Sequence, residues 1–383
     1  MTTEPLPLGL VSWPAFRLTL GALATAAAAR RCGGPAATVA AMDPVEALER
    51  VADGLQRTRG ARPKVQAFRR AADAIRGRPL DELRELTLGG RLTDLPGIGK
   101  STATVIAQAL AGETPEYLTR VESESRADGP PTELAGPIRA ALRGDLHTHS
   151  DWSDGGHTIE AMARAAAGLG HDYLVLTDHS GSLKVAKGLS AARLREQLGV
   201  VAALNEAVAP FRILTGIEVD ILADGALDQE EALLAQLDVV VASVHSHLRM
   251  DTDGMTTRMV KALESPHVDV LGHCTGRIVV GRGRPESTFD ADRVFGAAAA
   301  LDKAVEINSR PERLDPPTRL LEQLAALQAK VAIDSDAHAT WQLEWQPYGC
   351  HRAAKVGIPV ERIVNTWTAD ELTGWAATHA GTG

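Results

Sequence analysis

The spacing of apolar residues divides this chain in two. Between Pro44 and Leu110 they recur every three to four positions, as in Val45, Leu48, Val51 and Leu55, and again in Val65, Phe68, Ala72 and Ile75. That period puts them on one face of a helix. Gly60, Gly77-Arg78-Pro79 and Gly89-Gly90 are turn signals that cut the segment into short helices. From Gly144 the pattern changes to short apolar runs at 144–147, 173–177, 213–219, 239–245, 268–272, 304–307 and 330–333. Amphipathic helical stretches such as 158–169, 191–208 and 290–301 lie between most of them. Strand–helix alternation predicts parallel strands and an α/β fold.

All seven runs close on polar residues, and six close on residues that bind metals. These are Asp145-Leu146-His147-Thr148-His149, Thr177-Asp178-His179, Gly216-Ile217-Glu218, Ser243-Val244-His245, Gly272-His273 and Asp334-Ser335-Asp336-Ala337-His338. Imidazole and carboxylate are the donors that Zn²⁺, Mn²⁺ and Fe²⁺ accept. Strands that deliver ligands from their C-terminal ends around a barrel build a site at one mouth. An open sheet would gather them mainly at a switch point. The pattern therefore points to a barrel and a multinuclear metallohydrolase. No HExxH or GxSxG motif points to another hydrolytic chemistry.

In the N-terminal half, Thr93-Asp94-Leu95-Pro96-Gly97-Ile98-Gly99-Lys100 runs into a helix starting near Ser101. A helix start of this kind presents unpaired amides and a dipole to a phosphate. Gly99-Lys100-Ser101 is not the end of a Walker A loop, because Asp94 stands where that loop needs glycine and no strand precedes it. Leu95-Pro96-Gly97-Ile98-Gly99 instead resembles a helix-hairpin-helix. With Ala67-Phe68-Arg69-Arg70-Ala71-Ala72 and Gly90-Arg91-Leu92, residues 43–112 resemble the N-terminal DNA-end-binding domain of bacterial family X DNA polymerases. The resemblance implies contact with the DNA backbone through Gly97, Ile98, Gly99, Lys100 and Ser101. A plain packing hairpin is the alternative.

The strand-ending motifs resemble those of the PHP (polymerase and histidinol phosphatase) family, whose fold is a distorted (β/α)7 barrel holding up to three metals. The resemblance implies nine ligands here. They are His147 and His149 of the opening His-x-His, Asp154 of Trp152-Ser153-Asp154-Gly155, His179, Glu218, His245, His273, and the closing pair Asp336 and His338. It also implies their grouping. His147, His149, Glu218 and Asp336 would surround one metal, Glu218, His245 and His273 a second, and Asp154, His179 and His338 a third. Two ions bridged by Glu218 would sit roughly 3.5–4 Å apart. Glu218 and Asp336 are thus expected at the centre of catalysis. Arg277 and Lys184 are candidate phosphate contacts, since such a site wants fixed cations. Asn308 and Arg313 end the one strand without a ligand and are candidates to orient substrate or ligands. His247 is a candidate at the rim. Cys274 stands where the family usually has proline after Gly-His.

Charge and composition refine this picture. Of a net −9, residues 43–112 carry +3 and the remainder −12. That excludes a chain basic throughout, yet leaves the helical part the sign expected of a DNA contact. Three widely spaced cysteines (Cys32, Cys274, Cys350) make no disulfide framework, which points to the cytoplasm. Residues 1–42 include an Ala-rich apolar stretch whose Glu4, Arg17 and Arg30-Arg31 do not suit a signal sequence or a membrane span. They are expected to be a disordered leader, with no membrane association and no obligate protein partner. Residues 113–141 are expected to be a linker, 142–370 the metallohydrolase domain and 371–383 a tail. Only that linker stands where the polymerases have a palm with paired aspartates, so no polymerisation is expected. Three function readings follow. The first is a phosphoesterase using three divalent metals (Zn²⁺, Mn²⁺ or Fe²⁺) on DNA ends, as a 3′–5′ exonuclease or 3′-phosphatase. The others are a histidinol-phosphate-type phosphatase and a non-catalytic DNA-binding protein.

Overall fold

The structure is a computed structural model that describes residues 42–58, 62–127, 132–280 and 282–380. Of the expected leader, residues 1–41 lie outside the described residues, and Met42 packs against the helical core. Five helices form the N-terminal unit: α1 (Pro44–Arg57), α2 (Arg62–Ile75), α3 (Leu80–Leu88), α4 (Lys100–Leu110) and α5 (Glu116–Ala127). Asp43 caps α1 by accepting from the amides of Val45 and Glu46, with Pro44 in the first turn. That arrangement is favoured at a helix start. Leu48, Val51, Leu55, Phe68, Ile75 and Ile106 pack into one core.

The expected linker of residues 113–141 is largely helical. Leu118 and Val121 of α5 enter the same N-terminal core, and Arg50 of α1 pairs with Glu122 at 2.6 Å. A sixth helix, α6 (Thr132–Ala141), buries Ala135 and Ile138 in the core outside the barrel, as does Leu142 just beyond it. The many charged residues of this stretch hid a narrow apolar stripe on each helix.

Seven parallel strands follow in sequence order: β1 (Gly144–Thr148), β2 (Tyr173–Leu176), β3 (Arg212–Asp220), β4 (Val239–Ser243), β5 (Val270–Leu271), β6 (Ala304–Asn308) and β7 (Lys330–Asp334). Around them lie α7 (Ile159–Gly168), α8 (Ala191–Val208), α9 (Glu231–Leu234), α10 (Thr252–Leu263), α11 (Ala291–Ala300), α12 (Thr318–Ala326) and α13 (Gln346–Lys355). A parallel bridge between Thr148 and Ala337 brings the chain after β7 back to β1, and the Leu146 amide donates to Asp334 at 2.9 Å. The result is a nearly closed (β/α)7 barrel.

Side-chain alternation along the strands decides what lies inside. Tyr173, Val175, Leu214, Val239, Val241, Val270, Ala304 and Ala332 fill the interior, while Ile217, Val219, Val240, Val305 and Ile333 face the helices. Gly216 belongs to the crowded interior layer, for a Cβ there would come within 2.6 Å of Val175. The expected tail is another correction, because a last helix, α14 (Ala369–Ala380), adds Leu372, Trp375 and Ala376 to the interior cluster. Trp375 Nε1 donates to the Asp302 carbonyl, just before β6, at 2.9 Å. The helix thus plugs the end where the strands begin, leaving the other mouth for chemistry. Among the described residues no helix is long and apolar enough to cross a membrane.

Helix α1 also touches that open mouth. Glu49, Asp53 and Arg57, four residues apart, form one stripe. Asp53 accepts from Gln342 Nε2 at 2.8 Å and from Trp341 Nε1 at 3.4 Å. The Arg57 guanidinium lies 5.8 Å from the Trp345 ring.

Candidate metal centre

Each donor is placed by the end of a strand or the loop behind it. In β1, Asp145 pairs with Leu174 but Thr148 with Leu176, so β1 carries one extra residue there. A bulge re-aims side chains. It lets Leu146 fill the interior while His147, its immediate neighbour, turns to the mouth beside Glu218 and Glu306. The loop carrying Asp154 is folded onto Asp178, whose carboxylate accepts from the Ser150 amide at 2.8 Å and from the Ser150 and Ser153 hydroxyls. Gly155 is required in that loop, since a Cβ would sit 2.7 Å from the Ser150 backbone. Asp336 adopts φ 53°, a left-handed conformation that non-glycine residues rarely hold without compensation. Here Asn308 Nδ2 donates to its carboxylate at 3.2 Å, and Arg313 Nε stands 3.1 Å away.

The structure brings all nine donors together in four overlapping groups, each with ligand atoms within 4.8 Å of one another. These are His149, Asp154, His179 and His338; His147, His149 and Asp336; His147, Glu218 and His273; and His179, Glu218 and His245. Glu218 is the hub, with His147, His179, His245 and His273 all within 3.3 Å of its two oxygens.

Within this buried cluster, His147 Nε2, both ring nitrogens of His149, His179 Nδ1, Glu218 Oε2, His245 Nε2 and His273 Nδ1 have no hydrogen-bond partner. Buried polar atoms left unpaired are costly, and so many in one place ask for a common ligand. A set of imidazoles and carboxylates suits divalent cations of the Zn²⁺, Mn²⁺ and Fe²⁺ kind. The outer ring nitrogens support this. His147 Nδ1 lies 2.7 Å from Glu306 Oε1, and His245 Nδ1 is bonded to Asp220. An imidazole whose Nδ1 is held by a carboxylate directs Nε2 at a metal.

The ionisation pattern fits the same reading. Burial pushes the Glu218 carboxyl up, but the imidazoles of His179, His147 and His245 outweigh it and hold Glu218 well below the carboxylate range. Burial works the same way at Asp336, where Arg310, the nearby His149 imidazole and Arg313 hold it well below. Burial, with His338 and His179 nearby, keeps His149 neutral, its ligating form. At His245 burial opposes charge, yet Glu218 and Asp220 raise it to about 9. A proton there balances carboxylates that a cation would otherwise balance, so metal uptake releases protons.

The remaining candidates are distributed differently from expectation. Arg277 donates to the Arg313 carbonyl at 2.9 Å and to the Leu314 carbonyl, so its guanidinium holds the loop after β6. Lys184 is exposed on the loop after His179 and takes no part in the donor cluster. The cations on the cluster are Arg313 and Arg310, whose NH1 donates to the Asp336 carbonyl at 3.1 Å. His247 is exposed. Cys274 is buried, and burial with Asp315 and Glu306 nearby pushes its thiol well up, away from reactivity. Sequence reasoning missed Glu306, Asp220, Asp178 and Arg310. The legible signal for Glu306 and Asp220 was an acid inside the apolar runs Val305-Glu306-Ile307 and Val219-Asp220-Ile221.

In the helical unit, Gly97 takes φ 90°, and Pro96, Gly97, Gly99, Lys100 and Ser101 are exposed. The Ile98 side chain is buried in the helical core, and its amide already donates to the Leu95 carbonyl at 3.1 Å. The Gly99 amide is already committed to Thr102 Oγ1 at 2.9 Å.

Comparison with known proteins places this architecture. The family model described as PHP domain matches residues 145–310, and that described as Helix-hairpin-helix domain matches residues 41–115. A probable phosphatase of Aliivibrio fischeri is 30% identical over 211 residues, covering 51% of this chain and 77% of that protein. The chain belongs to the PHP family. Its PHP domain makes it a metal-dependent phosphoesterase. Seven of the nine donors fall inside the matched segment, and β7 returns Asp336 and His338 from beyond it. The DNA polymerase/3′-5′ exonuclease PolX of Bacillus subtilis is 39% identical over 224 residues, which is 58% of this chain. The chain spans only 39% of that relative's length. Among solved structures, a histidinol phosphate phosphatase from Lactococcus lactis complexed with zinc, L-histidinol and phosphate aligns at 16% identity with a TM-score of 0.38. The alignment covers 56% of this chain and 92% of that one.

Proposed function

We propose that this PHP-domain phosphoesterase hydrolyses phosphoester bonds at the ends of DNA, as a 3′–5′ exonuclease or 3′-end-cleaning phosphatase. The observation that carries this reading is a buried cluster of ligand atoms without hydrogen-bond partners, set beside a helix-hairpin-helix unit docked at the same mouth. A relative named as a 3′-5′ exonuclease, with 39% identity, supports it. In this reading His147, His149, Glu218 and Asp336 hold one metal, Glu218, His245 and His273 a second, and Asp154, His179 and His338 a third. Bound metals supply a water acidified from ~15.7 towards ~7 and positive charge for the phosphoryl oxygens. Glu306 and Asp220 keep the imidazoles aimed. Arg313 and Arg310 hold the Asp336 carboxylate and add fixed cations at the mouth, where charge grows as the ester breaks. In the exposed turn of residues 96–101, the amides of Gly97, Lys100 and Ser101 are the backbone donors left to a DNA phosphate.

The test is a time course on a 5′-labelled single-stranded oligonucleotide with Mn²⁺, with His147→Ala as control. The reading expects a ladder shortening from the 3′ end, or loss of a 3′-terminal phosphate, absent in the variant. An untouched oligonucleotide together with turnover of histidinol phosphate would replace it with the small-molecule phosphatase.

A further inference from the structure

Where α1 meets the barrel mouth, a cavity of about 650 Å³ opens between the two units. Asp154 and His338, two of the candidate ligands, line it from the barrel, together with Lys187 and Trp341. Arg69 of α2 and Arg76 just beyond it line it from the helical unit, beside the carboxylates of Glu49, Asp53 and Asp73. The residues that would hold metal and the cations of the helical unit therefore share one space. Ligand clefts run to roughly 300–1,000 Å³.

The two arginines are held rather than loose. Arg69 donates to Gln56 at 2.6 Å and stands 3.5 Å from Asp53, while Arg76 is paired with Glu49 and stands 3.8 Å from Asp73. Both are still about half exposed, 49% and 45% for the side chains. A guanidinium has five donors, so each keeps donors for a further anion. Trp341 is also fixed, by its Nε1 contact with Asp53 at 3.4 Å and by an edge contact with His157 at 5.3 Å. Cations along a groove with an aromatic ring in it are how single-stranded nucleic acid is gripped.

We propose that α1 and α2 form the selecting wall of the active-site cleft. In this role the wall grips a single-stranded nucleic-acid end, with Arg69, Arg76 and Lys187 on backbone phosphates and Trp341 stacked on a base. This rests on the reading that nucleic-acid ends are the substrate. It assigns selection to the docked faces of α1 and α2, apart from the hairpin turn at residues 96–101.

The test compares steady-state rates on a single-stranded oligonucleotide and on p-nitrophenyl phosphate in the full chain with Mn²⁺. The variants are Arg69→Gln/Arg76→Gln, Lys187→Gln, Trp341→Ala and Trp341→Phe. Arg84→Gln serves as control, an exposed arginine outside the cleft paired with Asp81 at 2.9 Å. The double variant is expected to raise KM for the oligonucleotide about tenfold, lowering the ratio of its kcat/KM to that of the monoester. The slope of log KM against log salt should fall by about 0.7 for each cation removed. Trp341→Ala should raise KM about tenfold, with most of the loss restored in Trp341→Phe. Should the double variant fail to fold, Lys187→Gln, on the barrel side, carries the same slope test alone. A wild-type enzyme that shortens the oligonucleotide, with unchanged KM and slope in these variants, would overturn the wall alone. A wild-type enzyme that turns over only the monoester would overturn both the wall and the nucleic-acid reading.

Discussion

Glu306 Oε1 lies 2.7 Å from His147 Nδ1 while its other oxygen accepts the backbone amide of His273, so one buried carboxylate sets two donors at once. Glu306 itself belongs to none of the four ligand groups. Glu306 therefore acts through its neighbours.

Glu306→Ala is expected to weaken metal binding about 10–100-fold, the usual cost of losing such an outer partner. Chelator-competition titration of the apo protein with Zn²⁺ and Mn²⁺ reads this directly. Wild-type affinity would remove Glu306 from this role.

Asp53→Ala should separate the two units. It leaves Gln342 Nε2 and Trp341 Nε1 without their acceptor, and an unsatisfied buried donor costs about 1–3 kcal/mol. Urea unfolding should show a lower midpoint or a second transition. A single unshifted transition would mean that the interface is held elsewhere.

Burial, with the Arg139 guanidinium nearby, pushes the His171 imidazole down to about 4, against about 6.5 in an unfolded chain. The unfolded chain takes its proton first, so this group's contribution is full above pH ~6.5 and is lost as pH falls towards ~4. At stake is ~3 kcal/mol. His171→Leu should flatten unfolding free energy against pH over that window in metal-free protein. Parallel curves for the two proteins would contradict the assignment.

Gly97 sits at φ 90°, where a side chain is strained, and a Cβ would lie 3.5 Å from the Arg70 carbonyl. Gly97→Val should distort the turn and weaken DNA binding several-fold, as read by fluorescence anisotropy at two salt concentrations. Undiminished DNA affinity would argue against the turn as a contact.

The barrel was legible because parallel strands buried on both faces read as continuous apolar runs. The runs at 144–147 and 330–333 sit on observed strands, and their ends carry donors that the fold brings together. What stayed hidden has physical reasons. The linker's charges faced solvent, masking Leu118 and Ile138 on single helical stripes. Arg277 and Arg310 look alike in sequence, and only the path of the loop after β6 shows that the first holds carbonyls and the second holds Asp336. Docking of α1 depends on Asp53, one of three acids on that helix, whose partner is 289 residues away.

The central claim is that nine donors form one multinuclear centre responsible for hydrolysis, with Glu218 as its hub. Elemental analysis of purified wild type and Glu218→Ala, run beside phosphomonoesterase rates, tests it most directly. Three divalent ions per chain are expected in the wild type. The variant should lose at least the two that share Glu218, with a rate down by a factor of 10³ or more. Wild-type hydrolysis by a Glu218→Ala protein, or by wild type stripped of metal, would contradict it.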